Sequence, residues 1–294
     1  MPLMGGSADL GPSNKTVLNG FEEFGAKTRN GQNVRFGVRE HAMGAIAGGL
    51  ALHGGVIPYT GTFLIFSDYM RPPMRLAALM RQRVIYIFSH DSIALGEDGP
   101  THQPIEQLMT LRAVPNLTVI RPADPAETAE AWKAAVCIDC GPTVIATTRQ
   151  KVPIIDRNEC AGAHQLHQGG YVLWESSDEM PEIILIGTGS ETHLAWQAGK
   201  QIATEGIKVR VVSLPSWEIF ERQSPEYRES VLPATVRKRV AVEAGLKQGW
   251  ERYVGLDGAV IGMDGFGASA PYEVLYTKFG ITKQSVIEAA KTLL

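Results

Sequence analysis

The stretch RVIYIFSHDSIALGEDGPTHQP, residues 83–104, sets a short apolar run against a loop crowded with polar groups. In RVIYIFS (83–89) the apolar residues are consecutive rather than alternating. A strand of that kind buries both faces, as strands do in a parallel sheet covered by helices on either side. The rest of the stretch carries His90, Asp91, Glu97, Asp98 and His102 among Gly and Pro. Gly, Asp and Pro are ordinary turn residues. The loop therefore reads either as a solvated turn or as the wall of a site for a ligand with many hydroxyl groups.

Similar runs recur on both sides of it: VRFGV (34–38), GVIPYTG (55–61), LTVIRP (117–122) and PTVIATT (142–148), with a further strand and turn in MPLMGGSADL. Helical patterns over 40–52, 66–81, 104–112 and 125–137 separate them. Pro104 and Pro125 suit first helical positions, where a missing N–H costs nothing. Around 150–180 the period is lost, and Pro, Gly, Ser and charge read as a linker with room for one hairpin. A second alternation follows, with strands at 182–187, 208–215, 239–244 and 258–263. Its helices fall at 190–205, 225–231, 247–254, 270–279 and 283–294. The expected fold class is α/β, with two doubly wound, mainly parallel-sheet domains at 1–155 and 179–294 joined by a linker at 156–178.

With 294 residues, 44% of them hydrophobic and 20% charged, either domain can bury a full core. A formal charge of −3 gives no reason to expect a nucleic-acid or anionic-membrane partner. No apolar stretch is long enough to span a bilayer, and the first residues lack a basic region followed by an apolar run. The cytoplasm is the expected compartment. Three cysteines are too few, and odd in number, for a disulfide framework. CIDC (137–140) reads as two small residues closing a helix before a Gly-Pro turn rather than as a dithiol or metal site.

In open parallel sheets, ligands sit beyond the carboxyl ends of the strands. Polar residues gather at those ends: Asp9 and Ser13, Arg39 and Glu40, Thr62 beside Phe63, His90 to His102, and Arg149. Glu40 either complements a helix dipole or points into a cleft, where the apolar GAIAGGLAL beside it would raise its pKa for proton work. Phe63, Phe66 and Tyr69, spaced i, i+3 and i+6, form either a core stripe or a ring platform for a planar ligand. LIGTGSE (185–191) is a glycine-rich strand-to-helix turn of the kind that can hold phosphate. Thr192 stands where a third glycine would complete a dinucleotide pattern, so tight packing of helix on strand is the better account.

Taken together, GGSADLGPSNKT, RFGVREHAMGAIAGGLALHGG, YTGTFLIFSDYMR, SHDSIALGEDGPTHQPIEQL and ATTRQ closely resemble the carboxyl-terminal half of the transketolase family. The resemblance continues in order through ILIGTGSE, VRVVSLPSWEIF, YRESVLP, RVAVEAG and GFGASAPYEVL. It implies a pyrimidine-binding domain and a transketolase C-terminal domain, a thiamine diphosphate cofactor, and transfer of a two-carbon ketol unit between sugar phosphates in the pentose phosphate pathway. By that resemblance Glu40 is the glutamate that hydrogen-bonds the aminopyrimidine, Phe63 is the ring stacked on it, and Phe66 and Tyr69 line the same pocket. Asp9 lies near the cofactor. His90 and His102 contact the sugar, Asp98 reads a hydroxyl next to the carbonyl, and Ser13, His90 and Arg149 hold the sugar phosphate.

The family anchors the diphosphate and magnesium with a GDG…N segment in an amino-terminal domain, and this sequence contains no such segment. The resemblance thus implies a split subunit or a truncated chain that holds only the pyrimidine end of the cofactor. Magnesium and the diphosphate would sit on a partner N-terminal subunit, in a homodimer or heterotetramer. The beta subunit of a thiamine-dependent 2-oxoacid dehydrogenase shares this two-domain layout, but the second histidine of GEDGPTHQP and the Ser13/Arg149 pair favour sugar phosphates. Deoxyxylulose-phosphate synthase and dihydroxyacetone synthase match that loop less well. A non-catalytic, dimerising remnant is the reading from outside enzymology.

Overall fold

A computed structural model describes residues 1–294. The first sheet contains β1 (Leu3–Ser7), β2 (Ile57–Phe63), β3 (Ile85–Ser89), β4 (Thr118–Ile120) and β5 (Thr143–Thr147), in the order β1-β2-β3-β5-β4. Every pairing in it is parallel. Its helices are α1 (Gly11–Asn14), α2 (Glu40–His53), α3 (Ser67–Leu79), α4 (Gln107–Arg112) and α5 (Pro125–Cys137). The consecutive apolar residues of β3 divide between two cores. Tyr86 and Phe88 pack with Met43, Ala47, Met70, Met74, Leu108 and Leu111 of α2, α3 and α4. Ile85 and Ile87 pack on the opposite face with Ala131, Ala134 and Ala135 of α5. Helices therefore cover both faces, as an uninterrupted apolar strand requires.

Two expectations for this domain are corrected. VRFGV (34–38) is not a strand: Val34 N donates to Gly5 O at 2.7 Å and an isolated bridge joins Gly5 to Asn33. Gly37, at φ 74°, then turns the chain away from the edge and into α2. Pro104 is not a first helical residue, because α4 begins at Gln107. The preceding residues bond elsewhere: Ile105 N donates to the Gln107 side chain at 3.0 Å, and Ile105 O accepts from Leu246 N in the other domain at 3.0 Å. At α5 the expected start holds, with Pro125 in the first turn and the Asp124 side chain accepting from Glu127 N.

The second sheet contains β6 (Tyr171–Glu175), β7 (Ile183–Gly187), β8 (Val209–Ser213), β9 (Arg239–Leu246) and β10 (Ala259–Met263), in the order β10-β9-β7-β8-β6. Only β6 runs antiparallel, along β8. The helices are α6 (Thr192–Ala203), α7 (Trp217–Glu221), α8 (Pro225–Val231), α9 (Glu251–Val254), α10 (Tyr272–Lys278) and α11 (Lys283–Leu293). One core joins the sheet to α6 and α11 through Ala195, Ile202, Val286 and Ile287. The opposite core holds Trp217, Phe220, Trp250 and Tyr253. β6 lies inside the stretch read as linker, and it pairs with β8 rather than forming a hairpin. Its alternate residues Tyr171 and Leu173 are buried, a pattern too short to stand out from the surrounding polar sequence. Gly187 confirms the packing account of LIGTGSE, since a Cβ there would lie 2.4 Å from Thr192 Cα. No helix is long and apolar enough to cross a membrane.

Candidate active site

The site grows from the carboxyl ends of β2 and β3. Their parallel register sets Phe63 beside Ser89, so the next residue after β3, His90, emerges next to the Phe63 ring. The imidazole lies on that ring with centroids 3.8 Å apart and planes 24° from parallel. His90 has φ 60°, a left-handed conformation uncommon for a residue with a Cβ. Ser89 Oγ lies 2.8 Å from its Nδ1 and orients the ring. Burial pushes the imidazole pKa down to about 4, the cation of Arg149 acts in the same direction, and Asp98 opposes them. At neutral pH the ring is uncharged and offers one donor and one acceptor.

Aromatic rings continue outward from Phe63. Phe66 lies 6.0 Å away and nearly parallel, Tyr69 lies 6.1 Å beyond it, and His102 meets the Phe66 edge at 5.7 Å. Thr101 Oγ1 sits 2.9 Å from His102 Nδ1. Phe63 and Phe66 are half-buried and Tyr69 is 64% exposed, so the stripe is a surface platform rather than core.

Glu40 is the first residue of α2 and is buried. Because the preceding segment is a turn and not a strand, Glu40 reaches the site from a helix head. Thr62, the neighbour of Phe63, donates a long 3.5 Å hydrogen bond to its Oε1. Glu40 heads the helix, and through Thr62 it adjoins the strand that carries Phe63. A buried carboxylate beside an open aromatic face suits an aminopyrimidine, which offers a ring to stack and nitrogens to hydrogen-bond. The residues present thus fit the pyrimidine end of thiamine diphosphate.

The remaining expected residues, Asp9, Ser13, Asp98 and Arg149, are exposed. Asp98 and Arg149 both lie within electrostatic reach of His90. Ser13 is exposed on α1, which Asn14 ties to the end of β2 by donating to Thr62 O at 2.7 Å. Asp9, at φ 58°, lines a concavity of about 570 Å³ together with Ser7, Phe21, Asn33 and Arg35. That concavity flanks β1 and does not include Glu40, Phe63 or His90, which occupy an open face. β2 and β3 stand between β1 and β5. The ends of β1, which leads to Ser13, and β5, which leads to Arg149, are therefore about 14 Å apart at roughly 4.8 Å per strand spacing. No group of three or more His, Cys, Asp or Glu side chains is placed to hold a metal ion.

Sequence reasoning missed the groups beneath the site. Asp91, next to His90, pairs with Arg121 at 2.8 Å, and Arg121 also pairs with Glu191 of the second domain. Arg112 holds Glu243 through two 2.8 Å hydrogen bonds. Gln103, next to His102, is buried and bonds across to Ala268 O at 2.9 Å. Asp91 and Arg121, charged residues just after apolar strands, were the available signal, but their partners lie up to 70 residues away along the chain.

Comparison with known proteins places these two domains. Residues 1–154 match the family described as transketolase, pyrimidine binding domain, and residues 169–282 match the transketolase-like C-terminal domain. The chain is 53% identical over 294 residues to a chloroplastic transketolase of Craterostigma plantagineum, covering 99% of this chain and 56% of that protein. Among solved structures, the transketolase from Leishmania mexicana is similar with a TM-score of 0.93 and 46% identity, covering 99% of this chain and 43% of that one. A split-gene transketolase, described as an inactive beta4 tetramer, is similar with a TM-score of 0.77 and 25% identity, covering 99% and 92%. The chain spans about half the length of the curated relatives it matches.

Proposed function

The chain belongs to the transketolase family, and from that premise we propose that it supplies the pyrimidine and sugar side of a thiamine diphosphate-dependent transketolase site. The reaction is transfer of a two-carbon ketol unit between sugar phosphates. The diphosphate and magnesium are held by a domain outside this chain, on a partner N-terminal subunit. The observation that carries the reading is that buried Glu40, heading α2, contacts Thr62 next to the open Phe63–Phe66 platform, on which the neutral His90 stacks.

Thiamine diphosphate, when bound, supplies an acidic azolium carbon that becomes a carbon nucleophile. Glu40 accepts a hydrogen bond from the aminopyrimidine and so holds the proton balance of that ring. Phe63 and Phe66 offer it an apolar face, with Tyr69 at the rim and Asp9 toward β1. His90, neutral and oriented by Ser89, and His102, beside Thr101, donate to and accept from sugar hydroxyls. Asp98 accepts from the hydroxyl beside the carbonyl. Arg149, with Ser13 and His90, binds the phosphate, where a guanidinium and neutral donors are well matched.

The split-gene relative, whose tetramer is described as inactive, supports a chain of this extent needing a completing partner. Exposed Ile46 and Leu52 of α2 and Leu76 and Leu79 of α3 support association through that face, as a homodimer or within a heterotetramer. The test is reconstitution with a diphosphate-binding domain from a relative, thiamine diphosphate and magnesium. Ketol transfer from a ketose phosphate to an aldose phosphate is expected in the mixture, absent from either component, and abolished by Glu40→Gln. Turnover of a 2-oxoacid instead would favour the dehydrogenase beta-subunit reading. No turnover with any partner would favour a non-catalytic remnant.

A further inference from the structure

Every side chain assigned above to the sugar comes from the first domain, yet the segment bearing three of them is gripped by the second. Asp91 accepts from Arg121 Nε at 2.8 Å. Arg121, fully buried, donates from Nη1 to Thr188 O at 2.9 Å and to Glu191. Glu191 is held in turn by Ala244 N at 2.9 Å and Tyr276 OH at 2.7 Å. The main chain joins as well: Arg121 N donates to Pro215 O at 2.8 Å, and Gly189 N donates to Arg121 O at 3.1 Å. Further along the segment, Ser269 Oγ donates to Glu97 O, and Leu246 N donates to Ile105 O at 3.0 Å. Gln103 Nε2 bridges Gly96 O at 2.8 Å and Ala268 O at 2.9 Å, closing the loop that carries Asp98 and His102. Gly267 admits this contact, since a Cβ there would fall 1.8 Å from Gln103 Oε1.

These ties address a physical need. A residue with a Cβ at φ 60° persists only where its surroundings over-determine it. Buried charges hold one geometry strictly, because a displaced partner leaves an uncompensated ion. Asp91 is the residue after His90 and Gln103 the residue after His102, so each tie acts one peptide away from an imidazole.

We propose that the second domain fixes the sugar-facing segment, with Asp91 and Gln103 as the positioning residues through which it places His90, Asp98 and His102. The functional consequence rests on the transketolase reading, but the placement itself does not.

Two variants test it in the full-length chain. Gln103→Met is close in shape and removes both donated hydrogen bonds. Tyr276→Phe, in the second domain, loosens Glu191 and frees Ser92 Oγ, which lies 3.5 Å from the Tyr276 hydroxyl, with little risk to folding. Imidazole resonances, assigned through His90→Gln and His102→Gln, report placement. Gln103→Met is expected to shift His102, and Tyr276→Phe to shift His90. In the reconstituted enzyme, either variant should raise KM for the sugar phosphate by about tenfold, within the range that small misplacements cost, and leave thiamine diphosphate affinity nearly unchanged. Unmoved imidazole resonances alongside a lowered melting temperature would overturn the proposal and leave these residues as ordinary joint-formers. If the wild-type mixture turns over no sugar phosphate, the functional reading fails, and the imidazole resonances still decide the positioning.

Discussion

The His90 imidazole covers one face of Phe63, with ring centroids 3.8 Å apart. That separation leaves no room for a third ring between them, so a planar ligand takes the other face of Phe63 or displaces the histidine. In the reconstituted enzyme, thiamine diphosphate should therefore change the ring-current shift of the His90 carbon-bound protons. Unchanged His90 resonances at saturating cofactor would place the pyrimidine away from Phe63.

Acidification should weaken the fold through His90. Its pKa in the folded chain is about 4, against an ordinary 6.5, because burial penalises the cation. Between those values the unfolded chain takes up a proton that the folded chain refuses, so stability falls as pH drops from 6.5 toward 4. Above pH 6.5 this group contributes no pH dependence. Urea denaturation across that window should show a shallower fall for His90→Gln than for wild type. Parallel curves for the two proteins would mean that the folded imidazole titrates normally.

Arg121→Met should be strongly destabilising. It removes the guanidinium that compensates Asp91 and Glu191, all three of them buried. Loss of one partner from a buried ion cluster costs about 3–5 kcal/mol. A loss below about 1 kcal/mol in equilibrium unfolding would show that water or protonation satisfies the carboxylates instead.

The β1 edge should be intolerant of even a methyl group. A Cβ on Gly5 would lie 1.9 Å from Tyr59 O in the paired strand. Backbone atoms there cannot yield without parting the strands, so Gly5→Ala should cost roughly 1–3 kcal/mol or more. Gly25→Ala, where a Cβ meets nothing within 4 Å, is the control and should stay within about 0.5 kcal/mol. Equal melting temperatures for the two variants would contradict the close approach at Gly5.

Cys137 ends α5, and Cys140 precedes the Gly141-Pro142 turn; both are exposed. The double change Cys137→Ser, Cys140→Ser should leave stability within about 0.5 kcal/mol. It should also leave reconstituted ketol transfer intact. A marked loss of either would revive a redox or structural role for the pair.

Most of the architecture was legible along the chain. RVIYIFS, PTVIATT and EIILIG each hold an unbroken apolar run, VIYIF, VIA and IILIG, as a strand buried on both faces does. Pro125 marked the start of α5. The strand-end residues His90 and Phe63 were findable because a parallel sheet gathers its functional groups at one edge. VRFGV failed because β propensity says nothing of whether an edge is free to pair, and Gly37 turned the chain first. β6 was hidden because two buried residues are too few to register as a period.

Sequence by itself determined most of the elements, the parallel class and the family motifs, because those depend on patterns a few residues long. Tertiary structure alone decided which face of Phe63 is covered, that Glu40 meets Thr62 from a helix head, and that Asp91, Arg121 and Glu191 form one buried cluster. Those relationships join residues up to 70 positions apart in the chain. They are set by strand order, register and the docking of two domains, and charge in such a joint finds its partner through space rather than along the sequence.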